Sequence, residues 1–254
     1  VCSSDLVMYL RSVDLIDIYG VYYGNKASNA GGVFALNEGI IKVTASKFLN
    51  NIAGNSGGVV YSSSYYDYAH VLNVEGSIFY NNSAINGGAI AMFSNAAIML
   101  TASTLNYNSA INGGVIYILT ENYFAASFSI FSHNSAKSNG GMICSRNSNN
   151  ILRFKNCTLN FNRADNNGGA IYLSLQSELN ITGNYTYFIG NQAHSGGVAY
   201  VSESTINIKS QYLLIANNSA TKIGGAFFSL GTIINFFSGN YILVQNQAHN
   251  GGVL

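Results

Sequence analysis

A repeat that recurs nine times constrains the fold of this chain more than any other feature. Each copy has an apolar or aromatic residue, two further residues, Asn, one residue, Ala, a short polar link, and then Gly-Gly followed by an apolar run. The repeated Asn residues are Asn25, Asn51, Asn82, Asn108, Asn134, Asn162, Asn191, Asn218 and Asn246, spaced by 26, 31, 26, 26, 28, 29, 27 and 28 residues. A period of roughly 20 to 50 residues is the signature of a repeat architecture such as a solenoid.

The apolar runs have the composition of β-strands. They are short and rich in Val, Ile, Tyr, Phe and Thr, which are residues that favour strands. Helical repeats need apolar residues three and four apart, and leucine-rich repeats need a fixed Leu/Asn pattern; neither occurs. We therefore predict an all-β parallel β-helix of about nine rungs, each made of three short strands. In the sixth repeat these strands would be Ala170–Ser174, Leu179–Gly183 and Tyr185–Ile189.

The recurring residues have physical roles in such a solenoid. The Asn side chains would form a ladder, each donating to and accepting from its copy one rung away, at a spacing of ~4.8 Å. The Gly pairs would allow positive φ and close backbone approach. The Ala two residues after each Asn suits a narrow inward position.

A row of apolar residues is predicted to point into the core. It lies three residues after the first Gly of each pair, at Phe34, Val60, Ile90, Ile116, Ile143, Ile171, Ala199 and Phe227. The following residues would then form an outward, mainly aromatic stripe at Tyr61, Tyr117, Cys144, Tyr172, Tyr200 and Phe228. The reverse assignment stays open, because a slip of one residue exchanges the two faces of every strand.

Two tetrapeptides resemble those of the polymorphic outer membrane protein repeat family. Gly87–Ile90 and Gly168–Ile171 match its Gly-Gly-Ala-Ile/Leu/Val motif, and Phe79–Asn82, Phe131–Asn134 and Phe188–Asn191 match its Phe-x-x-Asn motif. The resemblance spans residues 22 to 254, although several repeats have Leu, Ile or Tyr for Phe and Val or Met for Ala. It implies a right-handed parallel β-helix of the pectin-lyase-like superfold, exposed at a cell surface and used in adhesion.

Charge and composition exclude several classes of function. Charged residues make up 8% of the 254 residues, and 11 Lys and Arg nearly balance 10 Asp and Glu. A basic patch for nucleic acid or a polybasic membrane-binding segment is therefore not expected. No membrane span is expected either. Cys144 and Cys157 are expected to be small core or ladder residues.

The sequence shows no catalytic or metal-binding constellation, so we predict no enzyme activity and no cofactor. Its acids are scattered, and the nearest pair, Glu178 and Glu203, would lie one rung apart near a corner. His194 and His249 share one phase of the repeat but would be two rungs apart, which is too far to bind one metal ion. The alternative is an outlying part of a polysaccharide-cleaving β-helix enzyme whose catalytic rungs lie outside this chain.

We predict a non-enzymatic extracellular or cell-surface protein, a rigid spacer that presents a side face or a loop for adhesion. The longest repeat contains the segment Ser62–His70, where Tyr65, Tyr66, Asp67 and Tyr68 are a candidate contact loop, because insertions in solenoids form surface loops. N-glycosylation sequons occur at Asn81, Asn156, Asn180, Asn184 and Asn217. The expected partner is a host, neighbouring-cell or matrix protein or glycan.

Both ends of the chain read as truncated. Residues 1–6, Val-Cys-Ser-Ser-Asp-Leu, resemble a translated sequencing adaptor, so we assign the single β-helix domain to residues 7–254. The final Gly-Gly-Val-Leu stops inside a repeat. Any anchor would then lie outside this chain. Because a solenoid without end caps exposes unpaired strands, we expect end-to-end self-association.

Overall fold

The computed structural model of this protein describes residues 8–11, 14–63 and 70–254. Over these residues the chain is a parallel β-solenoid of about eight turns that matches the right-handed parallel β-helix, close to the nine rungs predicted. The described residues contain β-strands and no helix. The predicted adaptor residues 1–6 lie outside them.

The strands are short in most rungs. Strands β1 to β8 are Met8–Arg11, Leu15–Ile18, Val21–Tyr23, Lys26–Ala27, Phe34–Asn37, Gly39–Thr44, Lys47–Leu49 and Ile52–Ala53. Strands β9 to β16 are Val60–Ser62, His70–Glu75, Ile78–Tyr80, Ile90–Ser94, Ala96–Thr101, Thr104–Asn106, Ser109–Ala110 and Ile116–Thr120. Strands β17 to β24 are Tyr123–Ser127, Ile130–Ser132, Ser135–Ala136, Ile143–Ser145, Ile151–Lys155, Thr158–Asn160, Arg163–Ala164 and Ile171–Ser174. Strands β25 to β32 are Glu178–Ile189, Gln192–Ser195, Ala199–Ser202, Thr205–Ala216, Ser219–Ile223, Phe227–Leu230, Ile233–Phe236 and Asn240–Val244.

Each strand pairs in parallel with its copies one rung away. The first strand of each rung joins a nine-stranded sheet from β1 to β30. The second and third strands of the rungs join a sixteen-stranded sheet. A short strand after the ladder Asn, not predicted from the sequence, builds the small sheet β15-β19-β23-β26-β29. The two strands predicted in the sixth repeat at Leu179–Gly183 and Tyr185–Ile189 are wrong as separate elements. They form one continuous strand, β25, because the corner between them is bridged by pairing with β28.

The predicted asparagine ladder is present and buried. From Asn25 to Asn191, each main-chain N–H and each Nδ2 donates to Oδ1 of the next Asn, at 2.8 to 3.2 Å. Asn218 continues it to the half-buried Asn246 at 3.1 and 2.9 Å. A buried amide must be paired to avoid a desolvation penalty, so this row holds the rungs in register.

The two glycines of each pair are required for different physical reasons. Gly87 has a φ of 63°, a left-handed conformation that favours glycine. A Cβ at Gly88 would lie 2.2 Å from the carbonyl oxygen of Gly114 and 2.6 Å from that of Ser109. Here two segments of backbone pack directly on each other, which leaves no room for a side chain.

The predicted inward row is confirmed. Its eight residues, from Phe34 to Phe227, are at most 2% exposed and belong to the main core. The alanines that follow the ladder Asn are mostly buried, but they are not part of that core. The backbone of the short sheet packs on the Gly-Gly corner, so several of these alanines instead line an outer groove.

The outward stripe is confirmed as a separate apolar row, but part of it is not exposed. Tyr172, Tyr200 and Phe228 stack with ring centroids 5.4 and 4.8 Å apart. Tyr117 is 7% exposed and Cys144 is fully buried. Side chains two residues further along the chain in each rung cover them. Phe93 packs beside Tyr117, and Arg146 interacts with Cys144.

Candidate functional site

One corner of the solenoid holds a left-handed residue in every rung. It is the residue immediately before each ladder Asn, and its φ lies between 53° and 67°. The nine residues are Gly24, Asn50, Asn81, Tyr107, His133, Phe161, Gly190, Asn217 and Gln245. Gly and Asn adopt this conformation readily, whereas bulky residues rarely do. Three consecutive rungs therefore carry a large ring where a small or amide side chain would fit the backbone better.

Together with Tyr80 of the preceding rung, which is not left-handed, these three rings form a continuous exposed row. We call this row the aromatic corner: Tyr80, Tyr107, His133 and Phe161. Ring centroids are 5.4 Å apart for Tyr80–Tyr107, 4.9 Å for Tyr107–His133 and 5.2 Å for His133–Phe161. Tyr80, Tyr107 and Phe161 are 44%, 48% and 51% exposed. In the next rung a Cβ at Gly190 would lie 2.5 Å from the Phe161 ring, so the ring of Phe161 covers that glycine.

Stacking offsets the backbone strain at this corner only in part. A non-glycine residue in the left-handed region costs about 1–3 kcal/mol, and an aromatic pair returns about 0.5–1.5 kcal/mol. The ring faces are largely occupied by each other, so the ring edges point to solvent. An exposed, strained aromatic row is a feature from which a contact function can be inferred.

Next to this corner, grooves run along the outside of the short sheet. The first has a volume of about 260 Å³ and is lined by Ser83, Ser109 and Ser135, with Ala110 and Ile111 beside them. The second, about 420 Å³, lies further along the same sheet. It contains the exposed ion pair Arg163–Asp165, with an N–O distance of 3.2 Å. His194 lines this groove and forms a 2.8 Å hydrogen bond with Thr221.

The structure brings Glu178 and Glu203 to one open cleft of about 510 Å³. Oε1 of Glu178 accepts a 2.6 Å hydrogen bond from Nδ2 of Asn207. Among the described residues that line the cleft there is no Lys, Arg or His, the other lining residues being Gln176, Ser177, Ser204, Thr205, Gly231 and Ile233. The cleft can therefore offer two carboxylates and several neutral polar groups to a ligand.

The described ranges contain no group of three or more His, Cys, Asp or Glu residues placed to hold a metal ion. Cys144 and Cys157 are free and buried, as expected for small core residues. Burial raises the pKa of the Cys144 thiol to about 12 and that of Cys157 to about 11. Both thiols are therefore protonated and poorly nucleophilic near neutral pH.

The five sequons differ in accessibility. Asn81, Asn184 and Asn217 are exposed, and Asn81 and Asn217 belong to the left-handed row on either side of the aromatic rings. Asn156 is half-buried, and its Oδ1 accepts from the main-chain N–H groups of residues 184 and 185. Asn180 is 8% exposed and its Nδ2 is fully buried, so in the folded state this nitrogen is not accessible to a modifying enzyme.

The candidate contact loop at Tyr65, Tyr66, Asp67 and Tyr68 lies outside the described residues. The aromatic corner was not predicted, although the sequence carries a signal for it. Tyr107, His133 and Phe161 stand at one phase of three successive repeats. The sequence does not reveal that the backbone has a positive φ at that phase. This conformation makes the three rings project from a corner.

No helix within the described ranges is long and apolar enough to cross a membrane. Comparisons with protein-family models, with curated proteins and with solved structures find no match for this chain.

Proposed function

We propose that this chain is a non-enzymatic, extracellular or cell-surface β-helix module that acts as a stiff spacer and uses the aromatic corner for adhesion. The single observation that supports the adhesive role most is the placement of three exposed rings, Tyr107, His133 and Phe161, at strained backbone positions. Stability alone would favour Gly or Asn there. We attribute the rings at these positions to a contact with a partner.

The way in which the rungs are joined supports the proposed spacer role. Parallel main-chain hydrogen bonds and the buried Asn ladder connect each rung to the next along the whole described solenoid. At ~4.8 Å per rung, the eight or so turns extend about 40 Å. Such a rod resists bending, since bending would break buried hydrogen bonds.

The resemblance of the Gly-Gly-Ala-Ile and Phe-x-x-Asn tetrapeptides to polymorphic outer membrane protein repeats supports the same proposal, because members of that family are surface-exposed adhesins. The expected partner is a matrix, host or neighbouring-cell protein or glycan. The polar groove with Ser83, Ser109 and Ser135, which Lys137 also lines, is compatible with weak contacts to such a partner.

The test replaces the rings without disturbing the backbone. The variant Tyr107→Asn/His133→Asn/Phe161→Asn introduces residues that accept positive φ, so its melting temperature should stay close to that of the parent. It is produced in an unglycosylated form, because the first two changes create Asn-x-Ser sequons. Binding to glycan arrays and to immobilised matrix proteins should fall to background. The matched control is Tyr19→Asn/Phe128→Asn, which replaces exposed aromatic residues at φ 61° and 51° outside the corner. Equal binding by the triple variant and the parent would contradict the adhesive role.

A second candidate function, polysaccharide cleavage within this chain itself and not in rungs outside it, is favoured by one observation: Glu178 and Glu203 line the same cleft. Paired carboxylates are the groups that glycoside hydrolysis requires. Incubation with pectin, alginate and related polymers, followed by reducing-end analysis, tests this. Cleavage by the parent that is lost in Glu178→Gln and in Glu203→Gln would replace the non-enzymatic proposal.

A further inference from the structure

A buried histidine closes one corner of the solenoid. His70 is the first residue of β10 and is 0% exposed. In register it lies between Gly39 of β6 and Ala96 of β13. Further along this row, Oδ1 of Asn122 accepts the main-chain N–H of Ala96 at 2.9 Å. His70 likewise accepts a main-chain N–H of the preceding rung, but with a ring nitrogen: its Nδ1 accepts the N–H of Glu38 at 3.0 Å.

This hydrogen bond requires an unprotonated Nδ1. A neutral imidazole with a bare Nδ1 carries its proton on Nε2. Nε2 of His70 is buried and makes no hydrogen bond within the described part of the chain. An imidazolium here would lose the acceptor for the Glu38 N–H and would bury a positive charge, whereas an Asn at this position keeps its acceptor at every pH.

The charged groups around His70 offer limited compensation. On one side of it, β6 carries Lys42, and its own strand β10 carries Glu75; both residues are exposed. On the other side, β13 has no charged residue. Glu38, in the preceding turn, is the described group whose charge acts on the ring. Burial lowers the pKa of His70 below 6.5, and the Glu38 carboxylate opposes this shift.

We propose that His70 is an acid-sensitive latch: protonation of its ring breaks the bond to the Glu38 N–H and opens the corner between this rung and the one before it. Because its pKa is lower in the folded state than in the unfolded state, its contribution to stability is complete above about pH 6.5. That contribution is lost as the pH falls from 6.5 toward the lowered value. This rung also holds the longest repeat, so an acidic environment would loosen the solenoid there first.

The test compares the full chain with His70→Asn, which copies the pH-independent acceptor of Asn122. Between pH 8 and pH 5 the unfolding equilibrium constant of the parent, measured in denaturant, should rise by up to about tenfold per pH unit more than that of the variant. Hydrogen exchange at the Glu38 amide should accelerate in acid in the parent alone. His249→Asn, which removes an exposed histidine, should keep the parent's acid sensitivity.

Parallel pH curves for the parent and His70→Asn would overturn the proposal. If His70→Asn does not fold, NMR of the histidine-labelled parent gives the answer. The His70 imidazole should show a bare Nδ1 and a protonated Nε2 and should titrate below pH 6.5. Titration of this ring at or above pH 6.5 would exclude the latch.

Discussion

The main-chain N–H and the side-chain Nδ2 of Asn134 both donate to one oxygen, Oδ1 of Asn162, at 3.2 and 2.9 Å. Nδ2 also donates to the main-chain carbonyl of Leu105 at 2.9 Å. Leu105 lies three residues before the ladder Asn of the preceding rung, Asn108. The repeated spacing of an apolar residue and Asn is thus explained: the apolar side chain fills the core while its carbonyl accepts from the ladder of the next rung.

Asn134→Asp should destabilise the protein by about 3 kcal/mol or more at pH 7. A carboxylate cannot donate to the Leu105 carbonyl, and it would be a buried charge without a cation. Burial would raise the pKa of the new carboxyl in the folded state, so the loss of stability should be smaller at acidic pH. Denaturant unfolding at pH 4 and pH 7 measures both effects.

The matched control is Asn217→Asp, at an exposed residue with a φ of 56°. Its effect should stay within about 0.5 kcal/mol, as is usual for surface substitutions. An Asn134→Asp protein as stable as this control would show that the ladder does not hold the rungs together.

Gly88→Ala should prevent folding or cost about 3 kcal/mol or more, because the added methyl would overlap the backbone oxygen of Gly114 at 2.2 Å. Gly76→Ala should cost only about 1 kcal/mol. Unlike Gly88, Gly76 has a positive φ, 56°, and no atom lies within 4 Å of its added Cβ. Circular dichroism and urea titration of the two variants separate the effect of backbone overlap at Gly88 from that of positive φ at Gly76. Equal losses of stability in the two variants would contradict this distinction.

Cys144 and Cys157 should resist alkylation in the folded protein at pH 8. Their pKa values of about 12 and about 11 follow from burial, so the thiolate fraction is small and the sulfur is covered. Because both values lie above the ordinary 9.0, the two thiols contribute stability below pH 9, and this contribution is lost as the pH rises toward 11 and 12.

Mass-spectrometric mapping after a short iodoacetamide pulse tests the thiol prediction. Label at positions 144 and 157 should appear only after unfolding. Ser135→Cys, at an exposed residue in the groove, should react rapidly in the same sample. Rapid labelling of Cys144 in the folded protein would show that the outward stripe and Arg146 do not cover the thiol.

The 254-residue chain should self-associate as its concentration rises. Within the described residues, strands β1 and β30 are the two ends of the nine-stranded sheet, and sheet edges of this kind template further pairing. Sedimentation velocity should show a concentration-dependent increase in mass. Phe236→Lys/Ile242→Lys, at exposed positions in the last rung, should reduce it, whereas a parent that remains a monomer throughout would contradict end-to-end pairing.

The architecture could be predicted because the period, the strand composition and the ladder Asn repeat at constant phase. A side chain that recurs once per turn must stack on its own copy, so the Asn row and the inward row from Phe34 to Phe227 follow from spacing alone. The same logic could have identified the Ser ladder through Ser46, Ser77, Ser103 and Ser129, whose hydroxyl oxygens accept the main-chain N–H of the preceding rung. Each of these serines lies two residues before the apolar residue that starts the repeat motif. The chain contains many other serines, so this phase was not recognised.

The tertiary structure alone decided which corners are left-handed and which outward residues are covered. Tyr107 and Tyr117 look alike in the sequence, yet one is 48% exposed at a strained corner and the other 7% exposed beneath its neighbours. His70 likewise reads as an isolated histidine until the Glu38 N–H is found beside it. Periodicity specifies which residues share a row along the axis, because every turn repeats it. Exposure and protonation depend on contacts between different rows, and those distances exist only once the chain has wound into a solid rod.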